Sequence, residues 1–140
     1  MKRLVFKFFV IMIVIQNKIF IKLIPFRYII QIYSYHSYKP YEFTFSDDQL
    51  NRIRLIQQTV LWVKKSVLKT SKCFDQSLTA IFLARFFKLP CEVSFGIRKN
   101  NDSLIEAHSW TKIGPYYVTG VGIIEQFTEV YSIKYYPRKR

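Results

Sequence analysis

At Pro90 the spacing of apolar residues switches from the period of a helix to the period of a strand. Before it, Leu78, Ile81, Phe82 and Phe86 recur every three or four positions, and Ala80 and Ala84 allow close approach. After it, Cys91, Val93, Phe95 and Ile97 alternate with Glu92, Ser94, Gly96 and Arg98, as in a half-buried strand. Proline ends the helix because it lacks an N–H and its ring crowds the preceding turn. The switch commits the chain to helices first and strands after, an α+β fold.

The remaining punctuation agrees. Ser46-Asp47-Asp48-Gln49 reads as a capping box, with Ser46 as N-cap and Gln49 in the first turn. Leu50, Ile53, Ile56, Val60, Leu61, Val67 and Leu68 follow at helical spacing and predict a helix over about 47–69. A second helix runs from Cys73 to about Lys88 and is apolar nearly all round, which predicts a central, buried position. Strands are expected at 91–99, 104–113 and 116–124, separated by Asn100-Asn101-Asp102-Ser103 and Gly114-Pro115 as turns. These three form a small antiparallel meander.

The chain of 140 residues is long enough for one core without staples. Two cysteines make no disulfide framework, and free thiols suit a reducing, cytoplasmic compartment. The only histidines, His36 and His108, form no zinc-finger cluster with them, so no structural metal is expected. The net charge is +13, which attracts polyanions, but no nucleic-acid motif accompanies it and none is taken as a partner.

Residues 1–45 read as a basic, apolar pair of helices and a linker, ahead of a core over 46–140, with one compact unit overall. The first forty residues hold seven basic side chains and no acid. The apolar run Phe8–Ile15 is bounded by Lys7 and Gln16 and is far shorter than the ~20 residues a bilayer span needs. No small-residue cleavage site follows it. Two helices around Pro25 are therefore expected, packed on the domain or on a partner, with flat contact on a membrane as the alternative. The aromatic linker places His36 in solvent.

Chemistry enters at Cys73. A helix N-terminus carries partial positive charge, which favours a thiolate there. The plain alternative is a small capping residue. His108, on the second strand between Ala107 and Ser109, is the candidate partner, because cysteine catalysis needs an imidazole near in space rather than in sequence. Cys91 reads as a strand-core residue.

The stretch CFDQSLTAIFLARFFKLPCEVSFGIRK, followed by EAHSW and IGPYYVTG, resembles the transglutaminase-like leader peptidases of lasso-peptide biosynthesis. In that family a cysteine-led helix, a proline turn, a Gly-hydrophobic-Arg-Lys strand and an Ala-His-x-Trp strand follow in this order. LIPFRYIIQIY and LIQQTVLWVKKSVLKTSKC extend the resemblance over most of the chain. It implies a transglutaminase- or papain-like cysteine peptidase core that removes the leader from a ribosomally made precursor peptide. Cys73 would be the nucleophile and His108 the general base, with backbone N–H groups near Cys73 receiving the oxyanion. It implies no cofactor and no metal. Partners would be the precursor, a separate leader-binding protein, and the asparagine-synthetase-like cyclase that closes the ring.

Relatives of this kind orient the histidine with an acid or amide on the next strand. With a two-residue turn at Gly114-Pro115, His108 would lie opposite Val121 and share a face with Tyr117 and Thr119. Thr119 then offers a hydroxyl, and Glu125 is the nearest downstream acid. The missing acid leaves two further readings open: a non-catalytic scaffold that grips precursor and cyclase, and an acyltransferase.

Overall fold

The computed structural model describes residues 3–33, 43–67 and 72–137. The aromatic linker with His36, and the last residues of the helix expected to reach 69, lie outside them.

The two helices expected around Pro25 are present, and the first is the longer. Helix α1 (Arg3–Leu23) runs unbroken through Gln16, Asn17 and Lys18, and α2 (Phe26–Tyr33) follows Pro25. Polar side chains do not end a helix as a proline ring does. By length and composition Leu4–Leu23 is sufficient to cross a membrane, which corrects the expectation that no stretch here reaches bilayer length. One face of α1 is nonetheless packed inside the protein. Phe6, Val10, Ile13 and Val14 are buried, and Asn17 Nδ2 donates to Thr79 Oγ1 at 3.4 Å. Leu4, Phe8, Met12, Ile15, Ile19 and Leu23 stay exposed along the other face.

Helix α3 (Asp47–Trp62) opens at the expected capping box. The Gln49 N–H donates to Ser46 Oγ at 3.3 Å, and the Ser46 N–H donates to Gln49 Oε1 at 3.0 Å. It closes with a π turn over Val63–Val67. Helix α4 (Cys73–Phe86) begins where the Lys72 N–H donates to Asp75 Oδ2 at 3.1 Å, so an acid in the first turn satisfies a donor just outside it. Leu78, Ala80, Ile81, Leu83 and Ala84 are all buried, as its all-round apolar pattern requires. Each of the larger ones adds about 1.5–3 kcal/mol by leaving water. The chain then turns through Lys88, at φ 54°, into Pro90 and the first strand.

Strands β1 (Cys91–Lys99), β2 (Ile105–Ile113), β3 (Tyr116–Thr119) and β4 (Thr128–Tyr135) form one antiparallel sheet in the order β3-β2-β1-β4. Two features differ from the three-stranded meander read from the sequence. The third strand stops at Thr119, because Gly120 and Gly122 take positive φ values of 75° and 113° that lead the chain out of the sheet. After a 3₁₀ turn at Ile124–Gln126 the chain returns as β4 along the free edge of β1.

Helix α4 is the centre of the fold. It packs on β1, β2 and β3, and α1 and α3 pack against it, α3 reaching β3 as well. Phe9 meets Phe86 at 5.4 Å between ring centres, and Phe6 meets Phe87 at 6.3 Å. Helix α2 lies against β4 and sends Phe26 to Phe74 and Phe95, each at 5.3 Å. The result is an α+β domain in which the head of α4 meets the upper half of β2.

Candidate active site

Cys73 is the first residue of α4 and is half-buried. His108 projects from β2 at the same level, and both side chains stand in the wall of an open cavity of about 560 Å³. Gln57 and Lys64 from the α3 region, Gln76 from α4, Thr119 at the end of β3 and Gly120 just after it add polar groups to its lining. Among the described residues no hydrogen bond joins the sulfur to the ring; such contacts are often long until a substrate closes them.

Strand alternation explains how the ring is placed. Ser109 faces α4, and its hydroxyl lies 3.0 Å from Ser77 Oγ, so the alternation turns His108 and Trp110 toward the other face. Strand β3 pairs with β2 only as far as Thr111, and past that last pair the His108 ring stands at the strand edge, where it borders the cavity that Cys73 also lines. There the chain leaving β3 crosses over β2 at Gly120. A Cβ at Gly120 would lie 2.6 Å from the Ser109 carbonyl oxygen, so only glycine permits the crossing. The crossing brings the Gly120 carbonyl to 3.1 Å from His108 Nε2. A carbonyl only accepts, so Nε2 carries the hydrogen in this contact and Nδ1 keeps its lone pair. The ring is therefore in the tautomer that takes a proton at Nδ1.

Aromatic rings hold the imidazole on its flanks. Phe127 lies 5.1 Å from it and Trp110 6.1 Å, between ring centres. Gly96, opposite His108 on β1, makes room for both: a Cβ there would meet the Trp110 ring at 2.8 Å and Phe127 Cβ at 3.0 Å. Arg98 lies over the Phe127 ring at 4.7 Å and is itself fixed by Glu106, at 2.8 Å, and by Gln126. Arg98 and Asn100 hold the Glu106 carboxyl below its ordinary range through these hydrogen bonds. The Gly-Ile-Arg-Lys stretch thus acts on the histidine through Phe127.

The register expected for β3 is not the one observed. Ile113 does pair with Tyr116, but a bulge between Thr111 and Lys112 sets Thr119 opposite Thr111. Thr119 consequently shares the Ser109 face, and its Oγ1 lies 3.4 Å from Ser77 Oγ in a buried hydroxyl cluster. Glu125 is on the exposed 3₁₀ turn. Val121, expected opposite His108, lies in the turn after β3. Sequence reasoning missed Gly120 and Phe127. The glycine was visible in the sequence, but a backbone carbonyl carries no residue-specific signal.

Cys91 contrasts with Cys73. It is buried in the core, and desolvation pushes its thiol far above the ordinary range, where it cannot ionise at neutral pH.

No curated protein and no solved structure matched the chain. The profile of the transglutaminase-like superfamily matches residues 21–132, from the end of α1 into β4, with Cys73 and His108 inside the match. The chain belongs to the transglutaminase-like superfamily, which includes cysteine peptidases and acyltransferases.

Proposed function

We propose that the protein is a cysteine peptidase that removes the leader from a lasso-type ribosomal precursor peptide. The observation that carries this reading is a helix-head thiol and a tautomer-fixed imidazole in the wall of one open cavity.

In the proposed reaction, His108 Nδ1 takes the proton from Cys73 as Sγ attacks the scissile carbonyl carbon. Negative charge moves to the carbonyl oxygen, where N–H groups at the head of α4 receive it. Collapse of this intermediate breaks the C–N bond, and Nδ1 returns its proton to the leaving amine. The core peptide departs with a free N-terminus, and the leader remains as a thioester on Cys73. Water then gives a proton to Nδ1, its oxygen attacks the thioester, and the leader acid is released with the thiol restored.

Throughout, Nε2–H stays on the Gly120 carbonyl. That dipole steadies the imidazolium less than a carboxylate would, so turnover is slow rather than absent. A freed amine is useful only when passed on, which makes a leader-binding protein and an asparagine-synthetase-like cyclase the proposed partners.

The test is incubation of precursor, leader-binding protein and this enzyme, read by mass spectrometry. Separate leader acid and core are expected, and Cys73→Ala should abolish both. A leader joined to an added amine would instead assign acyl transfer, and full cleavage by the Cys73→Ala protein would remove the assignment altogether.

A further inference from the structure

Cys73 and His108 also stand in the wall of a second cavity, of about 280 Å³, and among the described residues only these two line both cavities. Its chemistry is different. Phe26 from α2, Phe74 from α4, Phe95 and Ile97 from β1, and Val130 from β4 line it. The three phenylalanine rings already rest on one another at 5.3 to 5.8 Å, so this wall is formed before anything binds.

We propose that this aromatic cavity is the specificity pocket of the enzyme, taking one large apolar side chain of the substrate from a residue beside the scissile bond. The proposal rests on the peptidase reading above. A peptide whose carbonyl carbon reaches Cys73 must run past both cavities, because the reacting pair is where they meet. The wider one is lined by Lys64, Gln57 and Gln76, a polar wall that suits polar chain. The narrower one is smaller than the ~300–1,000 Å³ of small-molecule sites, which suits a single side chain.

Charge is excluded by what the wall lacks. Among the described residues no Asp, Glu, Lys or Arg lines it, the Ser109 hydroxyl is already met by Ser77, and His108 Nε2 is held by Gly120. An acidic or basic substrate residue would be desolvated there without a partner. An apolar one gains, since Phe26, Ile97 and Val130 of the lining are 48%, 40% and 57% exposed and would be covered on binding. Phe26 belongs to the N-terminal region, so α2 helps to build the pocket as well as the fold.

The pocket can be read without turnover. Dipeptidyl chloromethyl ketones carrying Phe, Leu, Ala or Asp next to the ketone, or one residue further, should alkylate Cys73 of the full chain. Rates are followed by intact mass and normalised to iodoacetamide on the same protein. At one of the two positions Phe and Leu should react at least roughly tenfold faster than Ala or Asp, the scale of apolar-pocket discrimination. Val130→Trp, which fills the cavity, should shrink that ratio severalfold, and Ile97→Lys should raise the Asp probe relative to Phe.

Equal normalised rates for all four probes would overturn the pocket while leaving the peptidase reading in place. A preference that neither substitution alters would overturn its assignment to this cavity. If iodoacetamide labels Cys73 but no peptidyl probe does, the peptidase reading fails and the pocket with it.

Discussion

His108 Nε2 and the Gly120 carbonyl oxygen lie 3.1 Å apart, and among the described residues no carboxylate lines the cavity on which the ring borders. The orienting contact in this site is a backbone group delivered by a glycine that no other residue can replace without strain. Gly120→Ala should therefore cost about 1–3 kcal/mol of stability through its positive φ alone. It should also lower kcat by tenfold or more with a smaller change in KM, because it displaces the contact that fixes the tautomer. Urea unfolding together with steady-state cleavage of the precursor checks both parts. A variant with full kcat would show that the carbonyl does not position the ring.

The two cysteines should separate by reactivity. Under native conditions iodoacetamide is expected to modify Cys73 once and leave Cys91 untouched, with the second adduct appearing only after denaturation; intact mass spectrometry counts them. The buried thiol also makes a pH prediction. Its folded-state value is raised above the unfolded value of about 8.5, so the stability it contributes is complete below that pH and is lost as pH rises past it. Thermal melts between pH 8 and 10 should fall more steeply for the native protein than for Cys91→Ala, once the constant cost of the smaller side chain is subtracted.

Thr119→Val removes one hydroxyl from the cluster with Ser77 and Ser109, and should cost about 1 kcal/mol of stability. Its effect on kcat should be under threefold, and Glu125→Gln should be silent in both respects. A tenfold loss of kcat at unchanged melting temperature would give the orienting role to whichever of the two produced it.

The exposed stripe of α1 can be altered without touching its buried face. Replacing Phe8, Met12 and Ile15 together by Ser should lower the melting temperature only slightly, since all three are about half exposed or more. Soluble yield of the isolated protein should rise, and co-purification with the proposed cyclase or leader-binding partner should be lost. Retained partner binding with release from the membrane fraction would assign the stripe to lipid instead.

How far the sequence carried depended on the kind of group involved. The helix–strand switch at Pro90, the capping box at Ser46 and the helix led by Cys73 are side-chain signals, and each appears where its chemistry requires. The fourth strand was missed although Glu129, Tyr131, Ile133 and Tyr135 alternate with their neighbours, because exposed Glu129 and Tyr131 weaken the apolar contrast. The bulge at Thr111 and Lys112 is a backbone irregularity imposed by how β3 meets β2, with no composition of its own. One such slip was enough to turn Thr119 from the histidine's face to the opposite one. Gln16 ends the apolar run but not the helix, because polarity only chooses a helix face, and Asn17 beside it finds a partner inside.

Gly120 and Phe127, which touch His108 by a carbonyl and by a ring, are the two ends of one loop. The imidazole is thus held as in a caliper whose opening is set by the length of the chain between the jaws. Adding or removing a residue anywhere in 121–126 would shift both contacts together, even at positions far from the ring. The turn at Asn100–Ser103 joins β1 to β2 without touching the ring, and could lengthen without that penalty. Two surface loops of similar appearance therefore differ sharply in how much change in length the chemistry tolerates.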